Sequence, residues 1–166
     1  MPMITTAPVK ERDQSFLYEL YASTRQEEMA LTGWEVGQVD AFLRMQFRLR
    51  KNSYAMQYPS AEHSVILLAG LAVGAWIIDR CDSEIRLVDI AFLPAYRAKG
   101  FGTALLFKLQ EEAAASKGPI RLQVDRQGAA LRLYERLGFV ATGGDGIRIS
   151  MTWIPKISTL FASAIP

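Results

Sequence analysis

The first sixty residues carry the apolar spacing of helices. Within Glu11–Ser23, apolar residues recur at the i, i+1, i+4 and i+5 positions, which predicts one buried helix face. A second stripe runs through Val39–Gln57 and predicts another helix that Pro59 stops. Its inner positions are Val39, Phe42, Leu43, Gln46, Phe47 and Arg50. A short strand is predicted at Ile4–Thr6 and a loop at Thr32–Gly37.

From Ser64 onward, short runs rich in Val, Ile and Trp replace the helical spacing. Ser64–Leu68 and Ala72–Ile78 are predicted to be strands joined by a glycine turn, and Glu84–Leu93 is a longer strand that Pro94 ends. The next predicted elements are the helix Thr103–Ser116, the strand Ile120–Val124, the helix Ala129–Leu137 capped by Gly138, and a hairpin of Phe139–Thr142 and Ile147–Trp153. This order predicts an α/β fold with a sheet of mixed direction.

Composition limits the class of protein. The chain has 166 residues, 50% hydrophobic and 22% charged, which suits one globular domain. We expect that domain to span residues 1–153, and the apolar tail 154–166 to pack on it or on a second subunit in a homodimer. The net charge is +2 without long runs of like charge, so neither a nucleic acid nor a membrane is expected as a partner.

The rarest residue types narrow the chemistry. Cys81 is the only cysteine and His63 the only histidine, so an internal disulfide is impossible and a His-rich metal site is excluded. We therefore expect no metal. The N-terminal residues do not resemble a secretion signal, and no apolar run approaches the roughly 20 residues of a membrane span. A cytoplasmic location is the expectation.

The segment Tyr96–Thr103 has the composition of an anion site. It lies between a predicted strand and a predicted helix, where the first helical N–H groups lack internal partners and the helix dipole adds positive potential. Gly100 and Gly102 allow close approach of a ligand, and Arg97 and Lys99 add positive charge. A purely structural turn remains an equal interpretation. The spacing is neither that of a P-loop nor that of a dinucleotide-binding fingerprint.

Two motifs together resemble one family. Arg97-x-x-Gly100-x-Gly102 resembles the acyl-CoA signature R/Q-x-x-G-x-G/A of the GCN5-related N-acetyltransferases (GNAT), and Leu87–Pro94 is similar to the family's fourth strand. Downstream, Ala130–Phe139 is similar to the family's A-x-x-L-Y-E-x-x-G-F segment. The resemblance covers Ser64–Trp153. It implies a central mixed, mostly antiparallel sheet of six to seven strands with helices on both faces.

The resemblance also implies a site for acetyl-CoA as acyl donor. The backbone of Ile90, Ala91 and Phe92 would pair with the pantetheine arm where the fourth and fifth strands separate. An amide of Ala91 or Phe92 would stabilise the oxyanion, and Tyr134 would protonate the leaving thiolate. The pyrophosphate would be held by backbone amides of Arg97, Ala98, Lys99, Gly100, Phe101, Gly102 and Thr103.

This sequence departs from the family's pattern at two positions. Gln127 stands where family members often have Asn, so its contact with the cofactor is open. Ala98 stands where glycine is common, which is acceptable if its φ angle is negative. Without the resemblance, Tyr134 can also be interpreted as a core aromatic residue, and Thr103 as a residue that only starts a helix.

The general base and the acceptor pocket are less defined. Asp89 interrupts an apolar strand and is the preferred base, although a salt-bridged strand residue fits equally; Glu84, Glu27, Glu28, Glu35 or a water are the other choices. Some of six aromatic residues could line an acceptor pocket, but most are expected in the core: Trp34, Phe42, Phe47, Tyr54, Tyr58 and Trp76. Arg44, Arg48 and Arg50 are expected to be solvated, and binding of an acidic acceptor is the alternative role for them.

The function implied by the resemblance is N-acetyl transfer from acetyl-CoA to an amine of a small molecule or peptide by direct attack. Two other classes stay open. One is a non-catalytic acyl-CoA-binding module that acts as a sensor or partner. The other is an interaction protein that keeps the fold without the ligand.

Overall fold

The computed structural model describes residues 3–156, which form two compact units. The first unit comprises the described residues up to Asp79 together with Asp89–Phe101. The second comprises Arg80–Val88 and the described residues from Gly102 onward. Most of the predicted apolar tail, including Ile157, Leu160, Phe161 and Ile165, lies outside the described residues.

The first unit contains three helices: α1 (Gln14–Thr24), α2 (Gln26–Ala30) and α3 (Val36–Gln57). A single 3₁₀ turn, Glu11–Asp13, precedes α1. The two long predicted helices are confirmed, whereas the short α2 was not predicted. Helix α3 begins inside the predicted loop because Glu35 and Gln38 form a capping box, in which the Glu35 N–H donates to Gln38 Oε1 at 3.1 Å.

The same unit contains β1 (Ile4–Pro8), β2 (Glu62–Leu68), nearly all of β3 (Leu71–Arg80) and the second half of β4 (Ile85–Phe92). Strands β1, β2 and β3 pair antiparallel. Ala69 and Gly70, with φ angles of 50° and 83°, join β2 to β3, as a two-residue hairpin turn requires. The buried apolar residues are Ile4, Leu20, Tyr21, Leu43, Val65, Ile66, Val73, Trp76, Ile77 and Ile78.

The second unit contains the first half of β4, nearly all of α4 (Phe101–Ser116), β5 (Ile120–Asp125), α5 (Ala130–Arg136), β6 (Val140–Gly144) and β7 (Arg148–Trp153). Ile85–Leu87 of β4 pairs parallel with Ile120–Leu122 of β5, while β7 pairs antiparallel with both β5 and β6. Gln110 of α4 donates its side-chain amide to the Leu137 carbonyl at 2.8 Å. The buried apolar residues of the second unit are Ile85, Leu87, Leu105, Leu106, Leu109, Ala113, Ile120, Leu122, Val124, Tyr134, Phe139 and Met151.

The strand order is β1-β2-β3-β4-β5-β7-β6, which confirms a mixed and mostly antiparallel sheet of seven strands. Each predicted strand is present within a few residues of its predicted bounds. Among residues 3–156, none of the helices combines the length and apolar character that crossing a membrane requires.

Candidate functional site

The C-terminal half of β4 follows a path that glycine in β3 permits. A β-carbon at Gly74 would collide with the carbonyl oxygen of Ala91, so only glycine allows the two backbones to approach this closely. Just beyond β4, the Leu93 N–H donates to the Val73 carbonyl at 2.9 Å. Gly74 therefore fixes the backbone at the predicted pantetheine-binding residues.

The side chain of Arg97 holds the end of β4 in place. Its Nε donates to the Phe92 carbonyl at 2.9 Å, and its Nη2 donates to Ser23 Oγ at 3.1 Å. Its backbone N–H donates to the Pro94 carbonyl at 3.3 Å. Because these groups already have protein partners, the guanidinium of Arg97 links α1 to β4, and its amide is the least available of the predicted anion donors.

The turn between β4 and α4 has unpaired amides. After the 3₁₀ turn Pro94–Tyr96, the N–H groups of Ala98, Lys99 and Gly100 find no acceptor among residues 3–156. Gly100 has φ 86°, in agreement with a glycine requirement there. Helix α4 starts at Phe101, two residues before the predicted start at Thr103, so Gly102 lies in its first turn.

The backbone angle φ of Ala98 differs from the one that suits alanine. Its φ is 58°, in the left-handed region, whereas alanine was considered acceptable at this position only with a negative φ. The chain needs two positive φ angles, at Ala98 and Gly100, to turn from β4 into α4. A left-handed alanine is less stable than glycine by roughly 1–2 kcal/mol, so this loop is locally strained.

The donors of this turn fit a diphosphate. Three unpaired amides precede a 16-residue helix whose first N–H groups and dipole favour a negative charge, and the exposed Lys99 adds a cation. The turn therefore satisfies the chemical requirement that the sequence predicted for the pyrophosphate of coenzyme A.

Asp89 of β4 is joined to Arg50 of α3. Arg50 Nη2 lies 2.6 Å from Asp89 Oδ2, and the guanidinium lies 5.3 Å and 4.9 Å from the ring centres of Tyr21 and Tyr54. Burial alone would lower the pKa of Arg50, but Asp89 and Tyr54 outweigh it and raise that pKa. The expectation of a solvated Arg50 was wrong, because the inner stripe of α3 extends to this residue.

The only histidine lies in the same electrostatic environment. Burial lowers the pKa of His63, the positive charges of Lys51 and Arg50 lower it further, and the negative charge of Asp89 acts in the opposite direction. The neutral imidazole is therefore favoured near neutral pH. No sequence motif pointed to this group, because its neighbours come from α3 and β4.

In the second unit, Tyr134 is a buried residue of α5. Its ring packs edge-on against Phe139 with centroids 5.6 Å apart, and its carbonyl accepts from the N–H groups of Leu137 and Phe139. Gly138, with φ 93°, ends this helix as predicted. Gln127 is exposed in the turn before α5. The acid role of Tyr134 and the cofactor contact of Gln127 stay predictions.

The other predicted bases have separate environments. Glu84 lies 3.1 Å from Arg121 Nε, at an angle that makes an ion pair but no hydrogen bond. Glu28 pairs with Arg25 at 3.1 Å on the helix surface. Glu35 is exposed and caps α3, and Glu27 is exposed on α2. None of these observations selects one of them as the base.

A pocket of about 590 Å³ lies among α1, α2 and α3. Of the six aromatic residues considered for an acceptor pocket, Trp34 lines it, whereas Trp76 is buried in the core. Two lining residues that sequence reasoning missed are Tyr18 and Asp40. Tyr18 lies outside the predicted buried face of α1, and Asp40, near the start of α3, belongs to no motif.

Tyr18 and Asp40 form a hydrogen-bonded group with Arg44. Tyr18 Oη donates to Asp40 Oδ1 at 2.7 Å, Arg44 Nε donates to Asp40 Oδ2 at 2.9 Å, and the guanidinium lies 4.2 Å from the Tyr18 ring centre. Burial, and then the hydrogen bond to Asp40, raise the pKa of Tyr18 to about 12. Hydrogen bonds from Tyr18 and Arg44 lower the pKa of Asp40. The phenol is therefore a fixed donor at neutral pH.

Comparison with known proteins gives one family. Residues 59–141, half of the chain, match the sequence model of an acetyltransferase (GNAT) domain. No curated protein sequence matches the chain significantly. The match contains both motifs that the sequence singled out, Arg97–Gly102 and Ala130–Phe139.

Solved structures share the fold at low sequence identity. The PaiA N-acetyltransferase of Thermoplasma acidophilum, in complex with coenzyme A, has a TM-score of 0.68 at 16% identity, over 92% of this chain and 99% of its own. The ribosomal-protein-S18-alanine N-acetyltransferase of Escherichia coli has a TM-score of 0.65 at 21% identity, over 94% and 96%. YncA of Salmonella typhimurium, with its cofactor acetyl-CoA, has a TM-score of 0.56 at 20% identity, over 92% and 94%.

Proposed function

Because the chain belongs to the acetyltransferase (GNAT) domain family, we propose that it transfers the acetyl group of acetyl-CoA to an amine of a small molecule or peptide. The observation that carries this proposal is the turn after β4, where the amides of Ala98, Lys99 and Gly100 are unpaired directly before α4. The proposed domain extends over residues 1–153.

The proposed donor site uses mainly backbone groups. Acetyl-CoA supplies the activated acetyl group, and the amides from Ala98 to Thr103 bind its diphosphate, with Arg97 holding the turn through its side chain. The backbone of Ile90, Ala91 and Phe92 pairs with the pantetheine arm like an added strand. Gln127 is proposed as a further contact. Coenzyme A or acetyl-CoA in the structures of PaiA and YncA supports this donor.

The proposed reaction is a direct attack by the amine on the thioester carbonyl. A backbone N–H of Ala91 or Phe92 stabilises the oxyanion, and Tyr134 gives its phenolic proton to the departing thiolate. An ordinary phenol, with a pKa of about 10, can protonate a thiolate whose thiol has a pKa of about 8.5 at modest free-energy cost.

The proton of the attacking amine needs an acceptor. Asp89 is the proposed base, but its carboxylate is paired with Arg50 at 2.6 Å. Arg50 contacts Oδ2, so Oδ1 is the oxygen proposed to accept the proton, either directly or from a water that passes it on.

Two measurements test the proposed function. Acetyl-CoA at 100 times its dissociation constant should stabilise the fold by about 2.7 kcal/mol, which a thermal-shift assay detects. Incubation with a panel of amines should then release free coenzyme A above the amine-free rate. The exposed Cys81 also reacts with thiol reagents, so a Cys81→Ser variant removes that background.

The two outcomes separate the classes left open by the sequence. Stabilisation without thiol release from any amine would favour a non-catalytic acyl-CoA-binding module. The absence of both would favour an interaction protein that has lost the ligand.

A further inference from the structure

The pocket among α1, α2 and α3 has the lining of a small-molecule site. Its volume of about 590 Å³ lies within the range of roughly 300–1,000 Å³ that such sites occupy. Most of its wall is apolar, and its apolar residues larger than alanine are Met29, Trp34, Val36, Val39 and Leu43. A ligand that fills it must therefore present an apolar or aromatic body.

The charged residues of the pocket wall have a single sign. Glu19 and Asp40 are the acidic lining residues, and no Lys or Arg belongs to the lining. Asp40 is already bonded to Tyr18 and Arg44, whereas the Glu19 carboxylate has no ion-pair partner among residues 3–156. A cation is the complementary charge, and the ring of Trp34 also attracts one, whereas the guanidinium of Arg44 already lies over the ring of Tyr18.

The pocket adjoins the acyl-CoA signature through one side chain. Ser23 lines the pocket, and its hydroxyl accepts from Arg97, whose Nε donates to the Phe92 carbonyl. One guanidinium thus separates the pocket wall from the end of β4. This side chain connects the pocket to the end of the strand to which the proposed function assigns the pantetheine arm.

We infer that this pocket binds the acyl acceptor, and that the acceptor is a primary amine carried on an aryl or other apolar body. The inference rests on the proposed function and specifies its substrate class. The amine nitrogen forms a bond to the acetyl carbon as the carbon–sulfur bond breaks. The thiolate takes one proton, and the nitrogen gives one to the base or to water.

The first experiment compares amines of similar basicity with the full chain. Burying a phenyl ring is expected to raise kcat/KM for 2-phenylethylamine about tenfold or more over that for ethanolamine. Spermidine, which carries charge but no apolar body, should resemble ethanolamine. Equal or better turnover of the polar amines would overturn the inference and leave the proposed function intact.

The second experiment changes the pocket wall. Glu19→Gln should raise KM for 2-phenylethylamine about fivefold and leave KM for acetyl-CoA unchanged, because one partly solvated ion pair is lost. Glu11→Gln is the matched control, since this exposed carboxylate lies outside the pocket. An unchanged KM in Glu19→Gln would contradict the assigned charge recognition.

A third variant tests the volume. Ala22 lines the pocket, so Ala22→Phe should fill part of it and reduce turnover of 2-phenylethylamine more than that of ethanolamine. Stabilisation by acetyl-CoA should persist, which shows that the variant is folded. If no amine is turned over, the proposed function fails, and calorimetric titration with 2-phenylethylamine then decides the pocket. Binding that Ala22→Phe abolishes supports the pocket assignment, and undetectable binding overturns it.

Discussion

The turn that carries the acyl-CoA signature, Arg97–Gly102, and the helical part of the first unit, α1–α3, use different chemistry. In the turn, Ala98–Gly100 offer backbone amides, and Gly100 has a φ of 86° that glycine adopts readily. In the helical part, the proposed recognition uses side chains such as Glu19, and Arg50 pairs with Asp89 of β4. The family match includes the turn but begins at residue 59, after α3. A backbone site therefore leaves a readable motif, whereas a side-chain site does not.

Two ion pairs of α3 differ in how far their charges are buried. Asp89 and Arg50 are about two-thirds buried and meet at 2.6 Å, whereas Asp40 and Arg44 are a solvent-exposed i,i+4 pair. An Asp–Arg pair is therefore expected to contribute more to the free energy of unfolding at Asp89–Arg50 than at Asp40–Arg44. The expected effects below decrease from the turn to the individual charges of the helical part.

The largest effect is expected from Gly102→Leu. A side chain in the first turn of α4 would block the approach of a diphosphate to the backbone, so affinity for acetyl-CoA should fall by at least about 100-fold. Isothermal titration calorimetry measures this change, and circular dichroism checks that the fold survives. Gly37, the second residue of α3 as Gly102 is of α4, has open space around it, so Gly37→Leu is the matched control. Equal loss in both variants would remove the distinction between the two helix starts.

Tyr134→Phe should have the next largest effect. Loss of the proton donor is expected to lower kcat about 100-fold while the dissociation constant of acetyl-CoA stays within about twofold. Steady-state kinetics and calorimetry give the two values. Tyr58→Phe, at the end of α3, should leave kcat unchanged. Full activity of Tyr134→Phe would reduce this buried tyrosine to a packing residue beside Phe139.

Local patterns predicted most of the fold because they report which face of each element is buried. The helical spacing of the α3 stripe and the in–out alternation of Ile120–Asp125 each match a buried face, and the structure has both elements. What the sequence could not predict depends on neighbours distant along the chain. The Arg50–Asp89 pair joins α3 to β4, and the pocket combines residues of three helices. The left-handed Ala98 was missed because alanine gives no signal for positive φ.

A double-mutant cycle on Arg50 and Asp89 should give an intermediate effect. Asp89→Asn leaves a largely buried guanidinium without its counter-ion, so we expect a loss of about 2 kcal/mol in the free energy of unfolding, between exposed and fully buried pairs. The coupling energy with Arg50→Gln should exceed about 1 kcal/mol by urea denaturation. The exposed Asp40–Arg44 pair is the control, and its coupling energy is expected to be clearly smaller because solvent screens it.

The same variant tests the base. If Asp89 accepts the proton, Asp89→Asn should lower kcat/KM and remove the acidic limb of its pH profile. A water base would leave that limb in place. A coupling energy no larger than that of Asp40–Arg44 would show that burial does not distinguish the two pairs.

Ala98→Gly should have a smaller, opposite effect. Glycine relieves the left-handed strain but gains freedom in the unfolded chain, so a net stabilisation of about 0.5 kcal/mol is expected. Thermal denaturation measures it. Ala69→Gly, at φ 50° in the β2–β3 turn, should give a similar gain outside the signature. Destabilisation by Ala98→Gly alone would mean that the alanine methyl makes a contact of its own.

The smallest effect concerns His63, whose single imidazole gives one assignable NMR signal. Its pKa should lie below the ordinary 6.5, because burial and then the charges of Lys51 and Arg50 disfavour the protonated ring. The folded state then binds this proton less readily than the unfolded state, so the contribution to stability is present above pH 6.5 and is lost as the pH falls through the folded pKa. Lys51→Gln should raise the His63 pKa and Asp89→Asn should lower it, whereas Lys10→Gln should leave it unchanged. A pKa above 6.5 in the unmodified chain would mean that the negative charge of Asp89 outweighs burial and the charges of Lys51 and Arg50.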